Sequence, residues 1–230
     1  MKYKYLLIDN DNTIMDFSAS EYDCIGKTLR AFSLPDDDAT RKAYAAINDG
    51  VWKDFEKGKI KREEIPQLRF GGLLKYLKID ATDELVEEFA KRYESELANS
   101  AILFNGAIEF LRKIRKYMKV YIVTNGLKHI QRKRFADTNM ENEVDGIVIS
   151  AEIGFQKPQK EFFDYTLSFA GIENADDAIV VGDSLSSDIA GGLAAGIDTC
   201  LFDPKYKYND DTPKPKYIAH SYEELLELLI

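Results

Sequence analysis

The sequence predicts an α/β fold: a parallel five-stranded sheet with helices between its strands, and a block of helices inserted after the first strand. Three observations carry this. A short apolar run, Tyr3 to Ile8, stops at Asp9 and reads as a buried strand with a polar tip. From about Ser18 to Ser100 the pattern is helical, with no strand-like run. Beyond Leu103-Phe104, apolar runs alternate with helical stretches, the order of right-handed βαβ units.

In the first helical block, Ser33-Leu34-Pro35-Asp36-Asp37-Asp38 is a helix-start signature. Proline suits a first turn, where its missing N–H would be unpaired, and acidic residues complement the positive end of the helix. Leu85, Phe89, Tyr93 and Leu97 recur every fourth residue and line one face of an amphipathic helix. After the block, strands are expected at Val120–Val123, Ile147–Ile149, Ile179–Val181 and Thr199–Phe202. Helices are expected near Ala107–Lys116, Leu127–Asp137, Lys160–Ala170 and Asp188–Ala195, and Asn209–Lys216 reads as a polar, proline-containing loop. The domain expectation is a Rossmann-like core formed by residues 1–16 and 101–230, with a helical cap at 17–100.

Composition narrows the function. The 230 residues include 31 Lys and Arg against 40 Asp and Glu, a net charge of −9, with no basic concentration suited to a nucleic-acid polymer. The two cysteines, Cys24 and Cys200, are too few for a disulfide scaffold or a four-thiolate zinc site. The amino terminus is too briefly apolar for a signal peptide, and no apolar run approaches the roughly 18–20 residues of a membrane span. The expectation is a soluble, cytoplasmic protein.

Ligands of open α/β sheets bind beyond the carboxyl ends of the strands. Those ends carry Asp9-Asn10-Asp11-Asn12-Thr13, Thr124-Asn125-Gly126 and Gly182-Asp183-Ser184, with Asp188 five positions past Asp183; Lys157-Pro158 precedes the helix at Lys160. Each alone is weak: Asp and Thr after a strand also cap helices, and a lone lysine is usually solvated. Together they converge on one rim, and phosphoryl transfer to a carboxylate fits them. Ionised Asp9 and Asp183 contribute −2, Lys157 contributes +1 and a divalent cation would contribute +2, leaving room for a phosphate dianion. With no His or Cys cluster, oxygen ligands favour Mg²⁺ over zinc. His129 and His220 are expected to be structural or surface residues.

These motifs, in this order and with a cap inserted after the first, resemble those of the haloacid-dehalogenase superfamily across essentially the whole chain. The resemblance implies that Asp9 attacks phosphorus to form an aspartyl-phosphate. It implies that Asp11 protonates the leaving oxygen and then activates water. It assigns Thr124, Asn125 and Lys157 to the phosphate oxygens, and Mg²⁺ to Asp9, Asp183 and the backbone carbonyl of Asp11. Asp188 would orient Lys157 or a metal-bound water. Many members carry glycine where this chain has Asn12; asparagine tolerates positive φ better than most side chains. True dehalogenases usually lack an acid at the place of Asp11, so its presence favours phosphoester hydrolysis.

The cap stretch from Tyr44 through Trp52, Phe55, Gly58 and Lys59 to Ile60, followed by Leu68-Arg69-Phe70, is similar to the cap of the pyrimidine 5′-nucleotidase branch. Caps serve as lids that exclude water. Trp52 and Phe55 would offer an aromatic surface to a base, and Lys59 is a further candidate for substrate choice, although aromatics at i, i+3 more often pack a core. The function so implied is a Mg²⁺-dependent phosphomonoester hydrolase acting on a nucleoside 5′-monophosphate. A phosphoglycolate or sugar-phosphate phosphatase is the nearest alternative. A noncatalytic or signalling phospho-acceptor domain shares the strand-end Asp, Thr and Lys, but has neither the cap nor a second Asp two residues on. Gly26-Lys27-Thr28 resembles the end of a phosphate-binding loop, but Glu21 stands where its first glycine is required.

Overall fold

In a computed structural model, which describes residues 2–230, the chain divides into two compact units. One runs to Asp16 and resumes over Leu103–Ile230; the other is Phe17–Ile102. The chain enters through β1 (Tyr5–Ile8) and then forms α1 (Phe17–Ala31), α2 (Asp38–Glu56), α3 (Ile65–Tyr76) and α4 (Asp83–Ala98). It continues through α5 (Ala107–Ile114), β2 (Lys119–Thr124), α6 (Lys128–Asp137), β3 (Gly146–Ile149), α7 (Ser150–Ile153) and α8 (Lys160–Ala170). Then follow β4 (Ala178–Gly182), α9 (Ala190–Ala194), β5 (Asp198–Phe202), β6 (Tyr217–Ala219) and α10 (Tyr222–Leu229).

The sheet is parallel, in the order β3-β2-β1-β4-β5-β6. Leu6 of β1 sits beside Val120 on one flank and Ile179 on the other. Both faces are covered, because successive side chains alternate. Leu6 and Ile8 pack with Phe110, Leu111, Phe135 and Leu225, brought by α5, α6 and α10, whereas Leu7 packs with Phe162 and Phe163 of α8. Strand order reverses at β1: β2 and β3 lie to one side of it, β4 and β5 to the other. That switch point opens a crevice at the carboxyl ends of β1 and β4, the place where such sheets bind ligands.

Among the described residues the sheet has six strands where five were expected. The sixth is only three residues, follows the proline-containing segment and pairs with β5 at the sheet edge, Leu201 beside Ile218, so it is too short to show a period.

In the helical unit, α2 packs on α3, α1 on α4 and α3 on α4. Its aromatic centre is Tyr44, Phe70, Phe89 and Tyr93, with ring centroids 5.3–5.9 Å apart for the contacting pairs. Phe89, Tyr93 and Leu97 are buried, and Leu85 is half-buried. Asp37 caps α2 by accepting from Thr40 N at 2.8 Å, and Thr82 caps α4 by accepting from Leu85 N at 3.3 Å. Gly26-Lys27-Thr28 lies inside α1, not in a strand-to-helix loop. Glu21 is buried and accepts from Asn48 Nδ2 at 2.7 Å. Burial pushes its carboxyl up to about 8; Asp49 adds to the rise, while Asn48 and Arg69 oppose it.

Among the described residues no helix is long and apolar enough to cross a membrane. Cys24 and Cys200 are free thiols, each buried in a different unit.

Candidate active site

The site grows from the turn that follows β1. Asp9 N donates to Val181 O at 2.8 Å, which continues the β1–β4 pairing by one residue and sets Asp9 at the crevice. The chain then folds tightly: Ile14 N and Met15 N each donate to Asn10 O at 2.8 Å, and Asn12 N donates to Met15 O at 2.7 Å. The turn places Asn12 at φ +60°, so the residue found where glycine is frequent does adopt the left-handed backbone that asparagine tolerates. Tyr222 of α10 donates to Thr13 O at 2.6 Å and pins the far side.

Lys157 is the centre of charge. Its ammonium donates to Asp9 Oδ1 at 2.5 Å, Asp188 Oδ1 at 2.6 Å and Val123 O at 2.9 Å, one acceptor for each N–H. All three residues that contribute side chains are buried. Burial pushes the Asp9 carboxyl up to about 8; Lys157 opposes that, and the charges of Asp188 and Asp11 reinforce it. Burial alone would lower the Lys157 ammonium, but Asp188 and Asp9 outweigh it and hold the group charged.

Asp188 sits on a wide π-helical turn, Leu185–Ile189, and its second oxygen accepts from Ser184 N at 3.1 Å. Gly182 makes this arrangement possible. A Cβ there would overlap the Asp188 carboxylate. Asp9, Asp183 and Asp188 each offer a carboxylate oxygen within 4.8 Å of the others, with Asp183 the exposed member. Three carboxyl groups against one ammonium leave the cluster net negative even with Asp9 protonated, and all three donors are hard oxygens. This donor set fits a divalent, oxygen-preferring cation.

The Asp11 carboxylate lies outside that oxygen group. Its Oδ1 accepts from Arg134 Nη1 and its Oδ2 from Gln131 Nε2, both at 2.6 Å. Gln131 and Arg134 belong to α6 and were not legible as site residues, because glutamine and arginine on a helix usually face solvent. Their spacing of three on the helix that opens directly after Gly126 is the one available signal.

Thr124 is buried at the end of β2, and its Oγ1 accepts from Gly126 N at 3.1 Å. The Asn125 side chain is committed to the main chain of Lys157: Nδ2 donates to Lys157 O at 2.8 Å and Oδ1 accepts from Lys157 N at 2.9 Å.

Asp9, Lys157, Asp183 and Asp188 are thus brought together in the core unit, with Asp11 on the same turn and Asn125 behind Lys157. The remaining candidates lie in the helical unit. Phe55 is buried, edge-on to Trp52 with centroids 5.6 Å apart, and carries the Arg62 guanidinium 4.9 Å from its ring centre. Lys59 is exposed and pairs with Asp54 at 2.9 Å. Of the histidines, His129 is exposed, and His220 Nδ1 lies 2.7 Å from Asp203 O with its ring stacked on Tyr206.

Comparison with known proteins agrees with this geometry. The family profile of the haloacid dehalogenase-like hydrolases matches residues 3–196. The chain is 36% identical to the HAD-hydrolase YfnB of Bacillus subtilis over 228 residues, covering 99% of this chain and 96% of that protein. A crystal structure of YfnB bound to magnesium superposes with a TM-score of 0.92 at 34% identity, covering 100% of this chain and 99% of that one. The pyrimidine 5′-nucleotidase PynA of Streptococcus pneumoniae is 31% identical, covering 100% of this chain and 96% of that protein. The pyrimidine 5′-nucleotidase YjjG of Escherichia coli is 29% identical, covering 100% and 99%. With a matched profile over most of its length and a relative 36% identical over 99% of the chain, the chain belongs to the haloacid dehalogenase-like hydrolases.

Proposed function

We propose that the protein is a Mg²⁺-dependent phosphomonoester hydrolase that works through a phosphorylated Asp9, with pyrimidine nucleoside 5′-monophosphates as its substrate class. The observation that carries the chemistry is the Lys157 ammonium held between Asp9 and Asp188, beside an oxygen cluster in excess of negative charge. The substrate class is supported by the two nucleotidases that align over the whole chain.

Asp9, Asp183 and Asp188 would offer the carboxylates for the cation, and the family resemblance adds the backbone carbonyl of Asp11. Mg²⁺ held there would supply positive charge to offset that of the phosphoryl oxygens, which an anionic nucleophile otherwise meets. In the first half-reaction an Asp9 oxygen attacks phosphorus, the bond from phosphorus to the leaving oxygen breaks, and Asp11 gives that oxygen a proton. In the second, a water attacks phosphorus, Asp11 takes its proton, and the bond to Asp9 breaks. The sum is one ester and one water converted to one alcohol and one phosphate. Lys157 keeps the attacking carboxylate fixed and partly offsets the phosphate charge.

The same reading gives the segment from Trp52 to Lys59 the choice of leaving group. Replacing Phe55 and Lys59 then changes relative rates across substrates; a uniform change in all of them contradicts that role.

The test is phosphate release from pyrimidine and purine 5′-monophosphates, sugar phosphates and phosphoglycolate, with Mg²⁺ and with excess chelator, alongside Asp9→Asn. Preference for pyrimidine monophosphates, abolished by chelator and by the substitution, is the expected result. Metal- and Asp9-dependent release from another substrate keeps the chemistry and replaces the substrate class. Release that survives both chelator and Asp9→Asn overturns the chemistry.

A further inference from the structure

Helix α6 begins immediately after the second strand-end motif, and its first two turns send two side chains back under the first motif. Gln131 Nε2 and Arg134 Nη1 donate to different oxygens of one carboxylate, Asp11, each at 2.6 Å. Both donors are buried, Gln131 at 1% and Arg134 at 0% exposure, whereas the Asp11 side chain keeps 25%. We propose that Gln131 and Arg134 are positioning residues that hold the Asp11 carboxylate in the orientation its proton transfers require. This rests on the role given above to Asp11.

The geometry is directional. Asn10 Nδ2 donates to Gln131 Oε1 at 2.8 Å, so the oxygen end of the Gln131 amide is already taken and its nitrogen end faces Asp11. The reverse orientation would put an amide oxygen against a carboxylate and an N–H₂ against an N–H₂. Gly126 leaves the space that Gln131 occupies, since a Cβ there would overlap the Gln131 side chain. Asn10 is itself buried, and its carbonyl closes the turn that carries Asp11. Asn10 and Gln131 therefore form a buried relay from the turn to Asp11 Oδ2, and Arg134 holds Oδ1 from the same helix.

A merely structural role does not account for where this effort is placed. Burying a guanidinium is expensive, and a buried ion pair seldom adds stability over well-packed apolar groups. Here the guanidinium is buried toward a carboxylate that stays partly open to solvent, as a group that must meet substrate and water would. Two donors on two oxygens also fix the plane of the carboxylate, which a single contact leaves free to rotate. Proton transfer is steep in such alignment.

The experiment compares kcat/KM, which covers the steps up to departure of the leaving group, on two substrates. One is p-nitrophenyl phosphate, whose leaving group needs no proton; the other is the alkyl phosphomonoester the protein turns over fastest. Asp11→Asn is expected to lose roughly 10²–10⁴-fold on the alkyl ester and at least about tenfold less on the aryl ester. Arg134→Met and Gln131→Met are expected to show the same skew, and Arg134→Lys to recover part of the alkyl rate. Adding Arg134→Met to Asp11→Asn is expected to change the rate by no more than about twofold, as residues acting through one group do not add.

If Asp11→Asn is skewed but Arg134→Met and Gln131→Met lose equally on both substrates, or add fully to Asp11→Asn, the positioning role is wrong and the role of Asp11 stands. If Asp11→Asn itself shows no skew, the role of Asp11 is wrong and the positioning role falls with it. Should Arg134→Met fail to fold, Gln131→Met and Arg134→Lys decide the matter by the same ratio of rates.

Discussion

The side-chain amide of Asn125 brackets the main chain of Lys157, donating to its carbonyl at 2.8 Å and accepting from its N–H at 2.9 Å. Two loops that follow different strands are thereby locked in register. The buried ammonium between Asp9 and Asp188 inherits its position from that lock. Asn125→Ala removes both bonds, at about 1 kcal/mol of stability each. The larger expected effect is on rate, since a misplacement of about 1 Å at a reacting centre costs on the order of 10²-fold. Steady-state kinetics on folded Asn125→Ala, with circular dichroism as the control, checks this; an unchanged kcat contradicts it.

The excess of negative charge around Asp9 predicts stabilisation by metal. Added Mg²⁺ is expected to raise Tm in proportion to the logarithm of its concentration above Kd, about 2.7 kcal/mol at a hundredfold excess. Asp183→Asn is expected to remove most of that rise and to leave the metal-free protein at least as stable, because it takes one charge from a crowded acidic group. Thermal melts across a Mg²⁺ titration measure both.

Gly182 makes a steric prediction. Gly182→Ala drives a methyl group into the Asp188 carboxylate, at the end of a strand buried on both faces. Overpacking of this kind costs about 1–3 kcal/mol. Displacing Asp188 also strips Lys157 of an acceptor, so activity is expected to fall further than stability does. A variant with wild-type kcat would contradict the coupling of Asp188 to Lys157.

In the helical unit, Glu21 predicts a pH dependence of stability. Its carboxyl is raised from an ordinary 4.5 to about 8, chiefly by burial. Between those values the folded state binds more protons than the unfolded state, so stability falls as pH rises through that window and levels off above it. Below 4.5 both states are protonated and the contribution is fully present. The slope from one group is at most about 1.4 kcal/mol per pH unit. Denaturant melts from pH 5 to pH 9, on wild type and Glu21→Gln, check this: the substitution is expected to flatten the decline, and equal slopes in the two proteins would contradict it.

Much of the core was legible because its information is local. A strand tip, an Asp and a second Asp two residues on are consecutive in the chain, and parallel pairing of β1 with β4 brings the Asp183 tip beside them. The helical block announced itself through period, as Phe89, Tyr93 and Leu97 show by their burial. What stayed hidden is pairing across long separations. The Asn125 amide on the Lys157 main chain and the Arg134 guanidinium buried against Asp11 each join residues far apart in the chain, which no local pattern records. The edge strand Tyr217–Ala219 was missed because pairing with β5, not its own three residues, makes it a strand.

Whether Asp9 carries the phosphoryl group is read by quenching the protein during turnover with borohydride, which reduces an aspartyl-phosphate to homoserine. Peptide mass spectrometry then reads the residue at position 9. Homoserine is expected at Asp9 only when both substrate and Mg²⁺ are present, and none in Asp9→Asn. Steady phosphate release with Asp9 unmodified, or homoserine at a different carboxylate, would contradict it.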